Sequence, residues 1–573
     1  MGVFRLFRTF LNKYPRFFKA ITKDDRTHYC DTFLIDGNAT FYPVCREVYL
    51  GEINGKKRLI QEEERLPLAQ LEKIAFERIC QNLVHLTRIA NPKRILYIAI
   101  DGVAGLSKQS QQRKRRFQNI TEHVEDEFDF KNITAGTKWM ERLCIYIYNY
   151  IENLRKTDVY FSRLEIIYSD ATVPGEGEHK MIRWMDLDNK SKSYTIYSPD
   201  ADLILLCMGL NKKHLYVLRE NQYDDIKADY LIVLIDKLKH FILEDIKWVA
   251  VEYDYDEDRM VKDYIFFLML IGNDFLPSVP SVDTRVIDKI QNAYVTTAVE
   301  VGYLISEKNT INLKALTGFM HSLANIESDL LAAKIHTRVV QQDSVLVNNT
   351  KRLEAAVRVD MDGYRKDYYH RNFEGVPVHK VCEEYVRGMY FVIQYYLNSI
   401  PTFDWYYPYH YAPLFTDIAE YLDANPNLKI SFNYRGPLSL VESLASILHP
   451  KSFYLLPKKV EEFLTLRKEI DPDFSEVFIV DIEGKMNDYE GVPLISTVDY
   501  DKIKNLLKPF RVGNTPGQPV VWRGKYIDKP KFGGFDQKRQ PTEGYVPKKK
   551  PQTTFMQEKK KKEEDDEGIT VVL

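Results

Sequence analysis

The heptapeptide Pro174-Gly175-Glu176-Gly177-Glu178-His179-Lys180 and, about one helix and one strand later, Pro199-Asp200-Ala201-Asp202 constrain this chain more than any other feature. Each carries two acids spaced i, i+2 beside an apolar strand, which places four carboxylates where a parallel sheet builds its ligand site. Acids packed together without counter-charge raise one another's pKa values until some protonate. Divalent cations would relieve that repulsion.

Three more acids join them on the same reasoning. The apolar run Thr32-Phe33-Leu34-Ile35 ends on Asp36-Gly37-Asn38, and Ile95-Leu96-Tyr97-Ile98-Ala99-Ile100 ends on Asp101-Gly102, so two short strands each finish on an Asp. The helical run Tyr264 to Ile271 breaks at Gly272-Asn273-Asp274-Phe275-Leu276-Pro277 and presents Asp274 on a turn. Taken singly, an Asp after a strand is a helix cap or turn residue. Convergence of Asp36, Asp101, Glu176, Glu178, Asp200, Asp202 and Asp274 makes them candidate metal ligands and catalytic groups. A set of oxygen donors without Cys or His at metal spacing suits Mg²⁺ or Mn²⁺ over zinc. Two such ions, roughly 3.5–4 Å apart, activate a water and stabilise the leaving oxygen of a phosphodiester.

A basic segment follows Asp101. Lys108-Gln109-Ser110-Gln111-Gln112-Arg113-Lys114-Arg115-Arg116-Phe117 contains no Gly or Pro, and Lys108, Gln112, Arg115 and Arg116 fall on one face of a helix. Three cations and an amide on one face form an anion receptor, and Arg forks suit phosphate oxygens. The plainer alternative is a solvated basic helix or a localisation signal.

Composition sets outer bounds. At 573 residues, 45% hydrophobic and 28% charged, the chain can bury more than one core. No apolar run reaches the ~18–20 residues that span a bilayer, and no signal-peptide core follows Arg5 and Arg8. Leu6 stands where a myristoylation motif has Ser or Thr. The six cysteines are scattered without paired spacing, as reduced core thiols are. The net charge of −2 conceals a positive first segment, from Arg5 to Arg26, beside the acids.

Alternating strand-like and helix-like segments up to about residue 280 predict an α/β fold with a mostly parallel sheet flanked by helices. Residues 281–510 form a second, largely helical region that walls the site. Residues 511–573, with Gly513-Asn514-Thr515-Pro516-Gly517 and the charged run Lys559 to Glu567, are expected to be a poorly ordered charged tail. Its lysine runs at 548–550 and 559–562 are a nuclear or RNA-retaining signal in one reading and a solvated terminus in the other.

Together these motifs resemble the XRN family of 5′→3′ exoribonucleases, within the superfamily that also contains the flap endonucleases. The resemblance rests on Met1-Gly2-Val3 with Lys13-Tyr14-Pro15, Asp101-Gly102-Val103-Ala104, Gln111-Gln112-Arg113 with Arg115-Arg116-Phe117, Val173 to Lys180, Asp200-Ala201-Asp202-Leu203 and Ile271 to Pro277. It continues through Tyr364-Arg365-Lys366, Glu384-Tyr385-Val386 and Trp405-Tyr406-Tyr407-Pro408-Tyr409-His410-Tyr411-Ala412-Pro413, and so covers the chain to about Phe510.

The resemblance implies a PIN/flap-nuclease-like catalytic domain in which the seven acids hold two Mg²⁺ or Mn²⁺ ions. It implies that Lys108, Gln112, Arg115 and Arg116 grip the 5′-monophosphate of single-stranded RNA, which feeds in one nucleotide at a time and leaves as nucleoside 5′-monophosphates. Such a pocket excludes a cap or triphosphate, linking the enzyme functionally to a decapping enzyme or a prior cleavage. A monomer is expected, with no membrane, in the cytoplasm or alternatively the nucleus or a virion. The family has a base-stacking His six residues after the first catalytic Asp; here the position is Tyr42, which retains a π-face. The family's stacking Trp corresponds to Trp405, whose alternative role is a core residue. Beside cellular members the chain is short, like a minimal version resembling proteins of large DNA viruses. Two rival functions remain: a structure-specific DNA 5′-nuclease using the same acids, and a silent RNA-binding scaffold.

Overall fold

The computed structural model describes residues 6–14, 16–53, 56–57, 66–120, 124, 126–246, 256–335, 338–352, 357–510, 516–524 and 569–571. The opening Met1-Gly2-Val3 and the lysine runs at 548–550 and 559–562 lie outside the described residues.

Eight strands form the central sheet: β1 (Phe18–Ile21), β2 (Cys30–Asp36), β3 (Pro92–Ala99), β4 (Glu165–Ser169), β5 (Tyr194–Tyr197), β6 (Leu215–Glu220), β7 (Tyr230–Leu234) and β8 (Val520–Trp522). Their order across the sheet is β1-β7-β6-β5-β2-β3-β4-β8. The five central strands, β6 to β4, pair in parallel. Antiparallel partners close both edges: β7 and β1 on one side, β8 on the other. The expected mostly parallel sheet is therefore the one observed.

Both faces of the sheet are covered, which is why its strands are apolar throughout instead of alternating with polar residues. Period-two geometry sends Phe33 and Ile35 of β2, with Leu96 and Ile98 of β3, into one core together with Phe76, Ile79 and Trp139. Leu34 and Tyr97 point the other way, into a larger core. That second core continues without interruption into the helix Val378–Leu397 and on to Phe432. Residue 280 is thus a change of composition, not a break in packing. All six cysteines are buried free thiols, and no helix among the described residues is long and apolar enough to cross a membrane.

Six helices matter for the site: α1 (Gly37–Leu50), α2 (Leu106–Gln118), α3 (Gly177–Leu187), α4 (Asp202–Gly209), α5 (Glu257–Met269) and α6 (Val378–Leu397). The first four each follow a strand of the sheet, and they begin where the chain turns back from its C-terminal edge. Strand β5 lies on the opposite side of β2 from β3 and β4, so the chain reverses direction across the sheet between β2 and β5. Open α/β sheets bind ligands at such a crevice.

The tail departs from the expectation. Residues 516–524 are not loose: β8 pairs with β4, Trp522 Nε1 donates to Glu152 at 2.5 Å, and Arg155 Nη2 donates to the Arg523 carbonyl at 2.9 Å. An unpaired strand edge is a liability, and a short segment that satisfies it gains backbone hydrogen bonds. Ile569–Val571 also pair, antiparallel to Ile430–Phe432.

Candidate active site

Each of the seven acids sits where a strand or helix turns at the crevice. Asp36 ends β2 and caps α1, accepting from the Ala39 N–H at 3.4 Å and from Ser198 Oγ at 3.3 Å. The cap reading and the site reading of this residue coexist. Asp101 follows β3; its own N–H donates to Asn38 Oδ1 at 3.0 Å, and its Oδ1 accepts from the Gly177 N–H at 2.7 Å. A Cβ on Gly177 would lie 3.4 Å from Asp101 Oδ1 and 3.5 Å from Asp36 Oδ1, so both carboxylates border the space that this glycine leaves open.

The loop that carries Glu176 is zipped to the one after Asp101. Gly102 N–H donates to the Gly175 carbonyl at 2.9 Å and Gly175 N–H to the Val103 carbonyl at 2.8 Å. A side chain at Gly102 would meet the Val173 carbonyl at 1.9 Å, and Gly175 has φ 99°, so both glycines are required by the close approach and the turn. Lys180 closes the loop from within α3, donating to the carbonyls of Ile100 at 2.6 Å and Asp170 at 3.0 Å.

On the other side of the crevice, Asp200 and Asp202 are linked by the Asp202 N–H donating to Asp200 Oδ1 at 3.0 Å. Asp274 is presented by the turn after α5, where Asn273 Oδ1 accepts from the N–H groups of Phe275 at 2.8 Å and Leu276 at 2.9 Å. Helix α6 walls the site: Tyr395 donates its hydroxyl to Glu176, and Tyr396 donates to Asp202 Oδ2 at 3.2 Å.

Among the described residues, the Lys108 ammonium stands between two of these acids. Lys108 Nζ lies 2.7 Å from Glu176 Oε2 and 2.6 Å from Asp274 Oδ2. Burial alone would depress its pKa, but Glu176, Asp274 and Glu178 outweigh burial and hold it well above the usual lysine value. Burial also raises Asp274, yet the Lys108 ammonium outweighs it and keeps that carboxyl below the usual range. For the other acids burial outweighs such relief. Burial, with Asp101 and Asp200, pushes Asp36 up to about 8; burial, with Asp200 and Asp274, pushes Asp202 up to about 7; Glu178 and Glu176 are also raised, chiefly by burial.

Among the described residues no three His, Cys, Asp or Glu side chains converge closely enough to form a ready-made metal cage. The donor chemistry nevertheless fits hard divalent cations: carboxylates gather at the strand ends, burial and then their mutual repulsion raise the pKa values of Asp36 and Asp202, and Lys108 supplies a cation between Glu176 and Asp274. His179, beside these acids in sequence, is buried against the Tyr395 ring at 3.6 Å and pushed down to about 3 by burial, so it stays neutral.

Of the four basic-helix residues, Lys108 faces the acids, whereas Arg115 is exposed and Arg116 is turned toward Thr134, to whose Oγ1 its Nη2 donates at 2.7 Å. Arg116 Nη1 is buried without a hydrogen-bond partner among the described residues, and burial pushes the guanidinium down to about 10. Gln112 is half-buried, and it is Gln111, one position earlier, whose amide donates to Asp274 Oδ1 at 2.8 Å. Sequence spacing did not single out Gln111, Tyr395 or Tyr396.

The two aromatic candidates are placed differently. Tyr42 is 42% exposed and stacks on Phe130 with ring centroids 6.1 Å apart, close enough to Arg116 for charge coupling. Trp405 is 8% exposed; its ring packs on Phe391 at 4.3 Å, and its Nε1 is buried without a partner among the described residues. Gly388 leaves room for that ring, since a Cβ there would come within 3.1 Å of it. The structure therefore puts Trp405 in the core that joins α6 to the helical region.

A parallel sheet with a carboxylate-lined crevice at its switch point and a cationic helix alongside is the architecture of an acid-centred α/β enzyme. Comparison with family models makes the class specific: residues 1–221 match the XRN 5′-3′ exonuclease N-terminus, and residues 254–356 and 340–512 match the Xrn1 helical domain. The chain belongs to the XRN 5′→3′ exonuclease family. It is 23% identical to the 5′-3′ exoribonuclease 2 homolog of Drosophila melanogaster over 89% of this chain and 71% of that protein. It is likewise 23% identical to 5′-3′ exoribonuclease 2 of Gallus gallus (92% and 72%) and to 5′-3′ exoribonuclease 1 of Saccharomyces cerevisiae (89% and 43%). Among solved structures, the catalytic core of Rad2 in complex with DNA covers 67% of this chain at 14% identity, with a TM-score of 0.29.

Proposed function

We propose that this chain is a metal-dependent 5′→3′ exoribonuclease that hydrolyses single-stranded RNA bearing a 5′-monophosphate and releases nucleoside 5′-monophosphates. The observation that supports the reading is the approach of Lys108 of α2 to Glu176 and Asp274, beside the mutually interacting carboxylates Asp36, Asp101, Asp200 and Asp202 at the ends of the central strands. Relatives named as 5′-3′ exoribonucleases support it.

In this reading Asp36, Asp101, Glu176, Glu178, Asp200, Asp202 and Asp274 hold two Mg²⁺ or Mn²⁺ ions, which supply an activated water and charge stabilisation for the leaving oxygen. The chain's own residues do the rest. Lys108, Gln112, Arg115 and Arg116 receive the terminal phosphate, Arg116 with a buried N–H that has no acceptor among the described residues. Tyr42, half exposed beside Arg116, offers a face to the first base. Tyr395 and Tyr396 donate to Glu176 and Asp202, which fixes the orientation of both carboxylates. A pocket of this kind admits a monophosphate and excludes a cap, so the substrate is supplied by decapping or cleavage. We place the enzyme as a cytoplasmic monomer.

The test is decay of one 3′-labelled RNA carrying a 5′-monophosphate, a 5′-triphosphate or a 5′-hydroxyl, in Mg²⁺ and in EDTA, alongside the Asp200→Ala/Asp202→Ala double variant. Metal-dependent decay of the monophosphate alone, absent in the variant, is expected. Equal decay of all three RNAs would favour an endonuclease, and tight binding without decay would favour a scaffold.

A further inference from the structure

Strand β8 pairs with β4 in antiparallel register, Val520, Val521 and Trp522 standing opposite Tyr168, Ile167 and Ile166. The residues that lead into β8 therefore run alongside those that leave β4. Those outgoing residues, 170–175, form the arm on which Glu176 is carried.

The register is pinned at the far end. Trp522 joins the core of Phe33 and Ile166, with its ring 5.3 Å from that of Tyr148, its Nε1 bonded to Glu152 and the next carbonyl held by Arg155. A strand fixed there brings Gly517 onto the arm, where its N–H donates to the Thr172 carbonyl at 2.9 Å. A Cβ on Gly517 would lie 1.9 Å from Thr172 Oγ1 and 2.9 Å from Thr172 Cβ. The φ of Gly517 is not positive, so space alone demands glycine at this position.

Thr172 has little room to give way. Its N–H and its hydroxyl both donate to Asp170 Oδ1, at 2.9 and 2.6 Å. The Asp170 carbonyl in turn accepts from Lys180 Nζ at 3.0 Å. The next carbonyl, that of Val173, is the one Gly102 approaches, and Gly175 is bonded to Gly102 and Val103. Two glycines from distant parts of the chain thus close on consecutive residues of one arm. A shift at Thr172 passes along this short, bonded segment to Glu176.

We propose that residues 516–524 are a latch on the active-site arm, and that Gly517 and Thr172 are positioning residues that hold Glu176 where hydrolysis needs it. This role rests on the exoribonuclease reading above and deepens it. Gly517 follows every acid and cation assigned to the site in the chain, and it acts on the chemistry only through the arm. Most RNA affinity comes from phosphate contacts, which the arm does not supply. The latch therefore governs turnover and not binding, and a misplacement of about 1 Å far from the chemistry can cost about 100-fold in rate.

The experiment compares wild type, Gly517→Ala, Gly517→Ala/Thr172→Gly and Leu323→Ala, each in the full chain. Leu323 is fully buried in the helix Leu313–Lys334, and its substitution is the control for lost stability. Three readouts are taken: kcat and KM on 5′-monophosphorylated RNA in Mg²⁺, RNA affinity by anisotropy in EDTA, and amide hydrogen exchange in EDTA. Gly517→Ala should lower kcat by about 10–100-fold. Its KM and RNA affinity should stay within about twofold of wild type. Exchange should quicken over residues 172–178 while β2 and β3 stay protected. The double variant moves the free space from one residue to the other and should regain most of the lost kcat. Leu323→Ala should lower Tm without lowering kcat at a temperature where it is folded.

Unchanged kcat and exchange in Gly517→Ala, beside an active wild type, would overturn the latch alone. A raised KM with kcat unchanged would make the segment a binding element and equally overturn it. Exchange quickened across the whole sheet, with no recovery in the double variant, would reduce β8 to a structural brace and overturn the positioning role. Wild type that leaves monophosphorylated RNA intact in Mg²⁺ would remove the exoribonuclease reading and this proposal together.

Discussion

The Gly177 N–H donates to Asp101 Oδ1 at 2.7 Å, which ties the first residue of α3 to the acid at the end of β3. Through this bond the Glu176 and Glu178 loop and the strand-end acids are held as one unit. The nearby Gly102, with a prospective Cβ 1.9 Å from the Val173 carbonyl, is what lets the two loops meet.

Gly102→Ala should therefore separate the loops. Overpacking at a site with no give costs about 1–3 kcal/mol. A lower denaturation midpoint together with loss of nuclease activity is expected, while RNA binding in EDTA is retained. A variant as stable and active as wild type would show that the loop contact is dispensable.

Stability in the absence of metal should fall as pH rises. Asp36 and Asp202 have folded pKa values of about 8 and about 7, above the unfolded value of 3.8. Between pH 4 and 8 the unfolded chain releases protons that the folded one keeps, so folding is progressively disfavoured over that window. Asp274 has the opposite sign, but its contribution is lost only on acidification below pH 4. Thermal melts in EDTA from pH 5 to 8 should decline, and Mg²⁺ should reverse the decline most at the alkaline end. A flat profile would refute the raised values.

Lys108→Met removes the ammonium between Glu176 and Asp274. Breaking a buried pair by deleting one partner costs about 3–5 kcal/mol. The variant should melt well below wild type in EDTA and recover part of the difference in Mg²⁺, a dependence readable by calorimetry.

Arg116→Gln should reduce discrimination between 5′-monophosphate and 5′-hydroxyl RNA by about 10–100-fold, the worth of one hydrogen bond to a charged group at ~1.5–3 kcal/mol. The comparison is of kcat/KM on the two RNAs. Equal discrimination in the variant would move the phosphate site elsewhere.

Trp405 separates packing from stacking. Its ring is wedged between Phe391 and the space left by Gly388, and its N–H has no acceptor among the described residues. Trp405→Phe should thus keep RNA affinity, while Trp405→Ala should cost about 3–5 kcal/mol of stability. A Trp405→Phe variant that folds normally but loses affinity for RNA would reinstate base stacking.

Much of this site was legible before any coordinates. Asp36 and Asp101 announce themselves because an apolar run ends on an acid and a glycine, and Asp274 because a buried helix breaks at Gly272. The amide that reaches Asp274 was not legible. Gln111 and Gln112 are neighbours in sequence, and which one faces the acids depends on the rotation of α2, set by Arg113 reaching carbonyls more than three hundred residues away. Tyr395 and Tyr396 look like any buried helical aromatics until their hydroxyls are seen against Glu176 and Asp202. Strand β8 is three residues within a Gly- and Pro-rich stretch, and only the open edge of β4 makes it a strand.

That last strand has a consequence for the order in which the molecule is made. The N–H of Gly517 donates to the Thr172 carbonyl at 2.9 Å, immediately before the loop that carries Glu176, and β8 completes the sheet beside β4. A ribosome delivers the acids early and their edge strand late. Until residues 516–524 emerge, the growing chain has its acids but an open sheet edge beside them, so translation itself delays the moment at which a nuclease is complete next to the message being read.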